Sequence, residues 1–83
     1  MAEVTIYTTP YCPYCVNAKR LLERKGVAYR EINVANDAQL RIEMEQRSRR
    51  RTVPQIWINE NHIGGCDDLY ALERAGKLDS LLA

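Results

Sequence analysis

Val4-Thr5-Ile6-Tyr7-Thr8-Thr9-Pro10-Tyr11-Cys12-Pro13-Tyr14-Cys15 is the stretch whose reading decides the fold. Val4 to Tyr7 is a β-branched and aromatic run that reads as a buried strand, and the Thr-Thr-Pro after it ends the strand with turn formers. From Pro13 onward, Tyr14, Ala18, Leu21 and Leu22 recur at helical spacing with Asn17, Arg20 and Glu23 between them. Lys25-Gly26 then supplies a basic last turn and a C′ glycine. The spacing predicts one amphipathic helix over about residues 13–25. Working outward, Tyr29 to Val34 returns to strand composition, and Asn36-Asp37 offers N-caps for a second helix with Leu40 and Met44 on one side, fading into Arg47 to Arg51. Pro54 precedes an alternating segment, Gln55-Ile56-Trp57-Ile58, and Asn59-Glu60-Asn61 turns the chain toward His62-Ile63, which suggests a β-hairpin. Gly64-Gly65 breaks that pattern, and Asp67-Asp68 can cap a last helix with Leu69 and Leu72 inward, ending near Gly76. The predicted order is βαβαββα: an α/β chain with a small mixed sheet, one parallel pair from the first βαβ unit, and helices covering it.

Bulk properties agree with this reading and exclude others. The chain has 83 residues, 46% of them apolar and 28% charged, which suits a single domain over residues 1–83 with no repeat or linker to divide it. No apolar stretch approaches the roughly 20 residues needed to span a bilayer. A net charge of +1 supplies no global field to recruit nucleic acid or anionic lipid, so neither is an expected partner. The first residues, Met1-Ala2-Glu3-Val4-Thr5-Ile6, have neither a basic leader nor an apolar core of signal-peptide length, and the chain reads as a cytoplasmic monomer. In that compartment thiols are normally reduced, and paired cysteines usually do redox or metal chemistry. One histidine, His62, excludes a histidine-rich metal site, and three cysteines are the wrong number for a fully paired disulfide framework.

Cys12-Pro13-Tyr14-Cys15 is a C-x-x-C that follows a strand and loop and opens a helix. With Cys12 at the N-cap and Pro13 at the first helical position, the missing proline N–H costs nothing. The free amides and the positive dipole end then point toward the Cys12 sulfur and favour thiolate over thiol. Cys12 is the candidate nucleophile. Cys15, one turn on and facing the same side, should be more buried and less acidic, which makes it the resolving thiol. A bridge across four residues constrains the unfolded chain little, so the pair suits a catalytic couple better than a structural staple. Spacing alone also fits half of a zinc site, but the remaining ligands would have to come from His62 and Cys66, and the position at a helix start favours redox chemistry. No metal is expected.

Three motifs in this order, Tyr7-Thr8-Thr9-Pro10-Tyr11-Cys12-Pro13-Tyr14-Cys15, Thr52-Val53-Pro54-Gln55 and Gly64-Gly65-Cys66-Asp67-Asp68-Leu69, resemble those of the dithiol glutaredoxins, particularly the short bacterial glutaredoxin 3 type. The resemblance runs essentially end to end. It implies a thioredoxin-like fold with a four-stranded mixed sheet. It also implies glutathione as cosubstrate with no tightly bound cofactor, and oxidoreductase activity toward protein disulfides and glutathionylated proteins, ribonucleotide reductase being a family-level expectation. It implies a cis bond before Pro54 and a Thr52-Val53-Pro54 turn whose Val53 backbone pairs with the glutathione cysteinyl unit as an added strand. By the same match Tyr14 lines the glutathione site, Gly65 allows close backbone approach, the backbone at Cys66 and Asp67 receives the γ-glutamyl carboxylate, and Asp68 pairs with its ammonium.

Other readings stay open beside it. Read as residues alone, Thr52-Val53-Pro54 is an ordinary strand entry, Asp67 or Asp68 a helix cap, and Tyr14 a partly buried aromatic. Many relatives carry a lysine where this chain has Thr9. The basic run Arg47, Arg49, Arg50 and Arg51 could replace that charge, one of them reaching the glycine carboxylate while the rest face water. The Cys66 side chain reads as a bystander open to oxidation, His62 as a strand residue, and Trp57 and Tyr29 as packing. Competing functions are a relative reduced by a flavoprotein, an iron–sulfur carrier and a peptide-binding module. The glycine-rich segment argues against the first and Pro13 with a second thiol against the cluster carrier.

Overall fold

Ile6 and Tyr7 are neighbours in the first strand, and both are buried on opposite sides of a sheet. Strand periodicity sends one to each face. In the computed structural model, which describes residues 2–83, β1 (Val4–Thr8) lies between β2 (Tyr29–Asn33) and β3 (Gln55–Ile58), with β4 (Asn61–Gly64) outside β3. β1 and β2 run parallel, whereas β1–β3 and β3–β4 are antiparallel, giving the mixed four-stranded sheet in the order β2-β1-β3-β4. Ile6, Ile56 and Ile58 pack on one face against Ala18, Leu21 and Leu22 of α1 (Pro13–Arg24) and Leu69 of α3 (Cys66–Arg74). Tyr7 and Trp57 pack on the other against Met44 of α2 (Ala38–Ser48). β3 is therefore buried end to end, Gln55 included, because it is covered on both faces, which corrects its reading as an alternating segment.

The sequence order is observed with one addition. After α3 the chain forms α4 (Leu78–Leu82), whose Leu78 and Leu82 complete the first core cluster. Five residues are too few to display a period, so nothing in the pattern separates this turn from a tail. Three local expectations are corrected. Tyr14 is exposed rather than on the apolar stripe of α1; Cys15 takes the inward position with Ala18, Leu21 and Leu22. Neither Asp67 nor Asp68 is the N-cap of α3: Gly65 is, and Asp68, at the third helical position, reaches back to accept from the Gly65 N–H at 2.9 Å. This is half a capping box, since Gly65 has no side chain to return the bond.

α2 does not fade through the arginine run but stops at Ser48. Asp37 caps its start through the Leu40 N–H, as the sequence indicates, and Arg49 ends it in the left-handed region at φ 60°. The Arg49 N–H donates to Glu45 O at 2.7 Å and the Arg50 N–H to Ser48 Oγ at 3.0 Å, so the reversal of direction is fully hydrogen-bonded. An L-residue with a long side chain at this position carries the steric cost of the left-handed region, which glycine escapes. Arg49→Gly should raise unfolding stability by about 0.5 to 1 kcal/mol, after glycine's greater unfolded-state entropy is subtracted. Urea unfolding followed by far-UV circular dichroism measures this; a fall in stability would show that Arg49 makes contacts that matter more than its backbone.

Candidate functional site

α1 begins on a sulfur. Cys12 is the N-cap residue, extended at φ −106° and ψ 105°, with Pro13 in the first turn, and its Sγ accepts the Cys15 N–H at 3.1 Å. One of the amides that a helix start leaves unpaired is thus satisfied by the thiol itself. Cys12 is half-buried, and its Sγ lies 3.8 Å from Val53 O, so the sulfur sits between the helix start and the turn before β3. Cys15 faces inward and is 1% exposed. Burial, and then its hydrogen-bonding with Cys12, pushes the Cys15 thiol up to about 12. Two cysteines one turn apart therefore differ sharply in access to solvent.

Beside Cys12 runs an open groove of about 340 Å³. Its walls include all eight residues singled out in sequence as glutathione contacts: Tyr14 from α1, Thr52, Val53 and Pro54 from the turn before β3, and Gly65, Cys66, Asp67 and Asp68 from the start of α3. The Val53-Pro54 peptide bond is cis. Gly64, which ends β4 at φ 115°, brings the chain close beneath Asp68, where a Cβ would collide with that carboxylate. The first amides of α3 open into the same groove, while the Cys66 side chain turns into the core, 7% exposed, where burial and the neighbouring Asp67 push its thiol up.

A ninth wall residue is Arg50. Its Nη1 lies 2.9 Å from Asp68 Oδ2, the same oxygen that accepts from Gly65. The Gly65 N–H first, and the Arg50 guanidinium second, hold the Asp68 carboxyl below the usual carboxylate range. The basic run thus separates into distinct roles. Arg47 lies 4.4 Å over the Trp57 ring and donates to the Tyr7 hydroxyl at 2.8 Å; Arg49 forms the left-handed helix end; the Arg51 carbonyl accepts from Arg41. In sequence the four arginines are equivalent, because nothing in a charge run shows which residue follows a reversal of the chain. His62 lies in β4 on the Trp57 ring, and burial followed by the Arg50 charge lowers its pKa. Among the described residues, no three histidine, cysteine, aspartate or glutamate side chains are grouped to hold a metal ion. The arrangement offers an accessible sulfur, a withheld second sulfur, and a groove with backbone amides at one end and a carboxylate at its wall.

The Glutaredoxin family model matches residues 4–63 of this chain. Among curated relatives, the glutaredoxin of Pseudomonas aeruginosa is 59% identical over 83 residues, covering 100% of this chain and 99% of its own. Glutaredoxin 3 of Escherichia coli K12 is 57% identical over 82 residues, with 99% of each chain covered. The crystal structure of the buckwheat glutaredoxin-glutathione complex superposes with a TM-score of 0.90 at 31% identity, covering 98% of this chain and 76% of the other. With the cysteine pair, the mixed sheet and these likenesses together, the chain belongs to the glutaredoxin family of thiol-disulfide oxidoreductases with a thioredoxin-like fold.

Proposed function

We propose that this chain is a glutathione-dependent oxidoreductase that reduces protein-glutathione mixed disulfides through Cys12 alone and protein disulfides through Cys12 and Cys15 together. The observation that carries this reading is the position of the Cys12 sulfur, capped by the Cys15 amide and 3.8 Å from Val53 O on the wall of the groove. An amide N–H aimed at sulfur stabilises negative charge there, so the attacking form is supported without a separate base. In the first route the Cys12 thiolate attacks the glutathione sulfur of the mixed disulfide. The S–S bond breaks, the protein thiolate leaves and takes up a proton, and Cys12 carries the glutathionyl group. A second glutathione thiolate attacks the glutathione sulfur of that intermediate and releases oxidised glutathione and the Cys12 thiolate. In the second route Cys12 opens a protein disulfide, Cys15 loses its proton and attacks Cys12 Sγ to release the reduced protein, and two glutathiones reduce the Cys12–Cys15 bridge.

Glutathione fits the groove by its chemistry. Its peptide-like middle suits backbone pairing at Thr52-Val53, its γ-glutamyl carboxylate suits the amides at Cys66 and Asp67, and its ammonium suits Asp68. The likeness to a glutaredoxin crystallised with glutathione supports the same ligand. Arg50 already neutralises Asp68, so the incoming ammonium shares or displaces that partner, and the freed guanidinium is the arginine best positioned for a carboxylate of the ligand. The reading further takes residues 1–83 as one monomeric domain acting in the cytoplasm on glutathionylated and disulfide-bearing proteins, ribonucleotide reductase among them, with no resident cofactor.

Three outcomes are expected. In a coupled assay, glutathione with its reductase should sustain turnover and thioredoxin reductase should not; the reverse pattern would overturn the proposal. Cys12→Ser should abolish both activities, and Cys15→Ser should keep deglutathionylation while losing protein-disulfide reduction, so equal loss of both in the second variant would refute the division of labour. Iodoacetamide should modify the reduced native protein once, at Cys12. Because the thiolate of Cys15 forms only toward pH 12, its alkylation should stay slow from neutral pH to about pH 10, as peptide mass spectrometry would read.

A further inference from the structure

Gln55 is fully buried, at 0% exposure, yet lies in a strand whose other members are Ile56, Trp57 and Ile58. A buried amide costs free energy unless all of its groups find partners, and this one does. Nε2 donates to Thr52 O at 3.0 Å and approaches Thr52 Oγ1 at 3.3 Å, and Oε1 lies 2.7 Å from His62 Nε2. These bonds cross the turn that holds Val53 and Pro54, joining its entrance to the sheet. Sheet pairing starts only at Gln55, opposite Tyr7, and among the described residues no backbone–backbone hydrogen bond holds Thr52 or Val53 to a neighbour. Apart from the Cys12 Sγ contact at Val53 O and the packing of Val53 against the second core cluster, the hydrogen bonds that tie the entrance of the turn to the sheet are those of the Gln55 side chain. His62 is itself held, its ring 4.7 Å from that of Trp57, which in turn contacts Arg47 and Tyr7.

We propose that Gln55 is the positioning residue for glutathione: its amide, anchored by His62, fixes the Thr52-Val53 backbone at the spacing that an incoming peptide needs. This rests on the glutathione reading above. Gln55 touches neither Cys12 nor the groove, so it acts through Thr52 and not on the reacting sulfur. A motif residue with no part in the chemistry thereby sets how well the cosubstrate binds.

The test uses Gln55→Met, which keeps the side-chain length and removes every polar contact. Deglutathionylation kinetics, the alkylation rate of Cys12 and the backbone NMR order parameters of Thr52 and Val53 are measured on wild type and variant. Loss of the buried bonds should raise the KM for glutathione roughly tenfold. With it, kcat should stay within about twofold and Cys12 alkylation should be unchanged, while the Thr52 and Val53 order parameters fall. Unchanged KM and order parameters would overturn the proposal, as would KM, kcat and alkylation all worsening together, which marks general loss of structure. Should Gln55→Met not fold, Gln55→Glu decides. It keeps an acceptor for His62 but sets a carboxylate oxygen against Thr52 O, so an increased KM supports the proposal and an unchanged one refutes it. If the wild-type protein does not turn over with glutathione, the functional reading fails separately, and the Thr52 and Val53 order parameters in the variant then decide alone whether Gln55 holds the turn.

Discussion

A helix must satisfy the amides of its first turn, and here one of them is satisfied by the sulfur of Cys12, accepting from Cys15 at 3.1 Å. Sulfur is a weak acceptor in neutral form, so a thiol is a poor choice for a cap that only has to hold a helix. It becomes a good choice when the sulfur must carry charge, because the first-turn amide it caps then faces a negative acceptor. The rest of the site follows from this constraint. Pro13 fits the first turn because its absent N–H is not needed, Cys15 is turned inward one turn later, and Tyr14 is left exposed over the groove.

Two thiols with similar sequence surroundings are thereby given different chemistry by burial. Cys12 keeps contact with solvent and with the turn at Val53, whereas Cys15 lies in the protein interior, where ionisation is costly. Cys66 shares the second condition without a partner on its own helix turn. Its sulfur belongs to the core, and what it gives to the groove is the backbone at the start of α3.

The parts of the site carried on one helix start were legible in the chain itself. Cys12-Pro13-Tyr14-Cys15 contains its own geometry, because capping and helical spacing are local. Met44 and Leu69 were similarly legible as core from their periodicity. The misreadings share a cause. The acidic pair suggests a cap at Asp67 or Asp68, whereas the helix is capped at Gly65, two residues before the first of them, and helical spacing puts Tyr14 in the apolar stripe although the stripe's end overhangs the groove. Both depend on what lies opposite, which no local pattern contains. α4 escaped notice because its two inward leucines acquire meaning only from the core they close.

By itself the sequence determined the strands β1 and β3, the amphipathic run of α1, the order of elements up to α3 and the placing of two cysteines at a helix start, since each is set by periods and caps acting within a dozen residues. Only the tertiary structure decided that Tyr14, Arg50, residues 52–54 and residues 65–68 form one groove, that Arg50 and none of its neighbours faces Asp68, and that a buried Gln55 braces the turn between them. Those contacts join segments brought together by sheet pairing and by packing on both faces, and their partners are chosen by distances in space rather than along the chain.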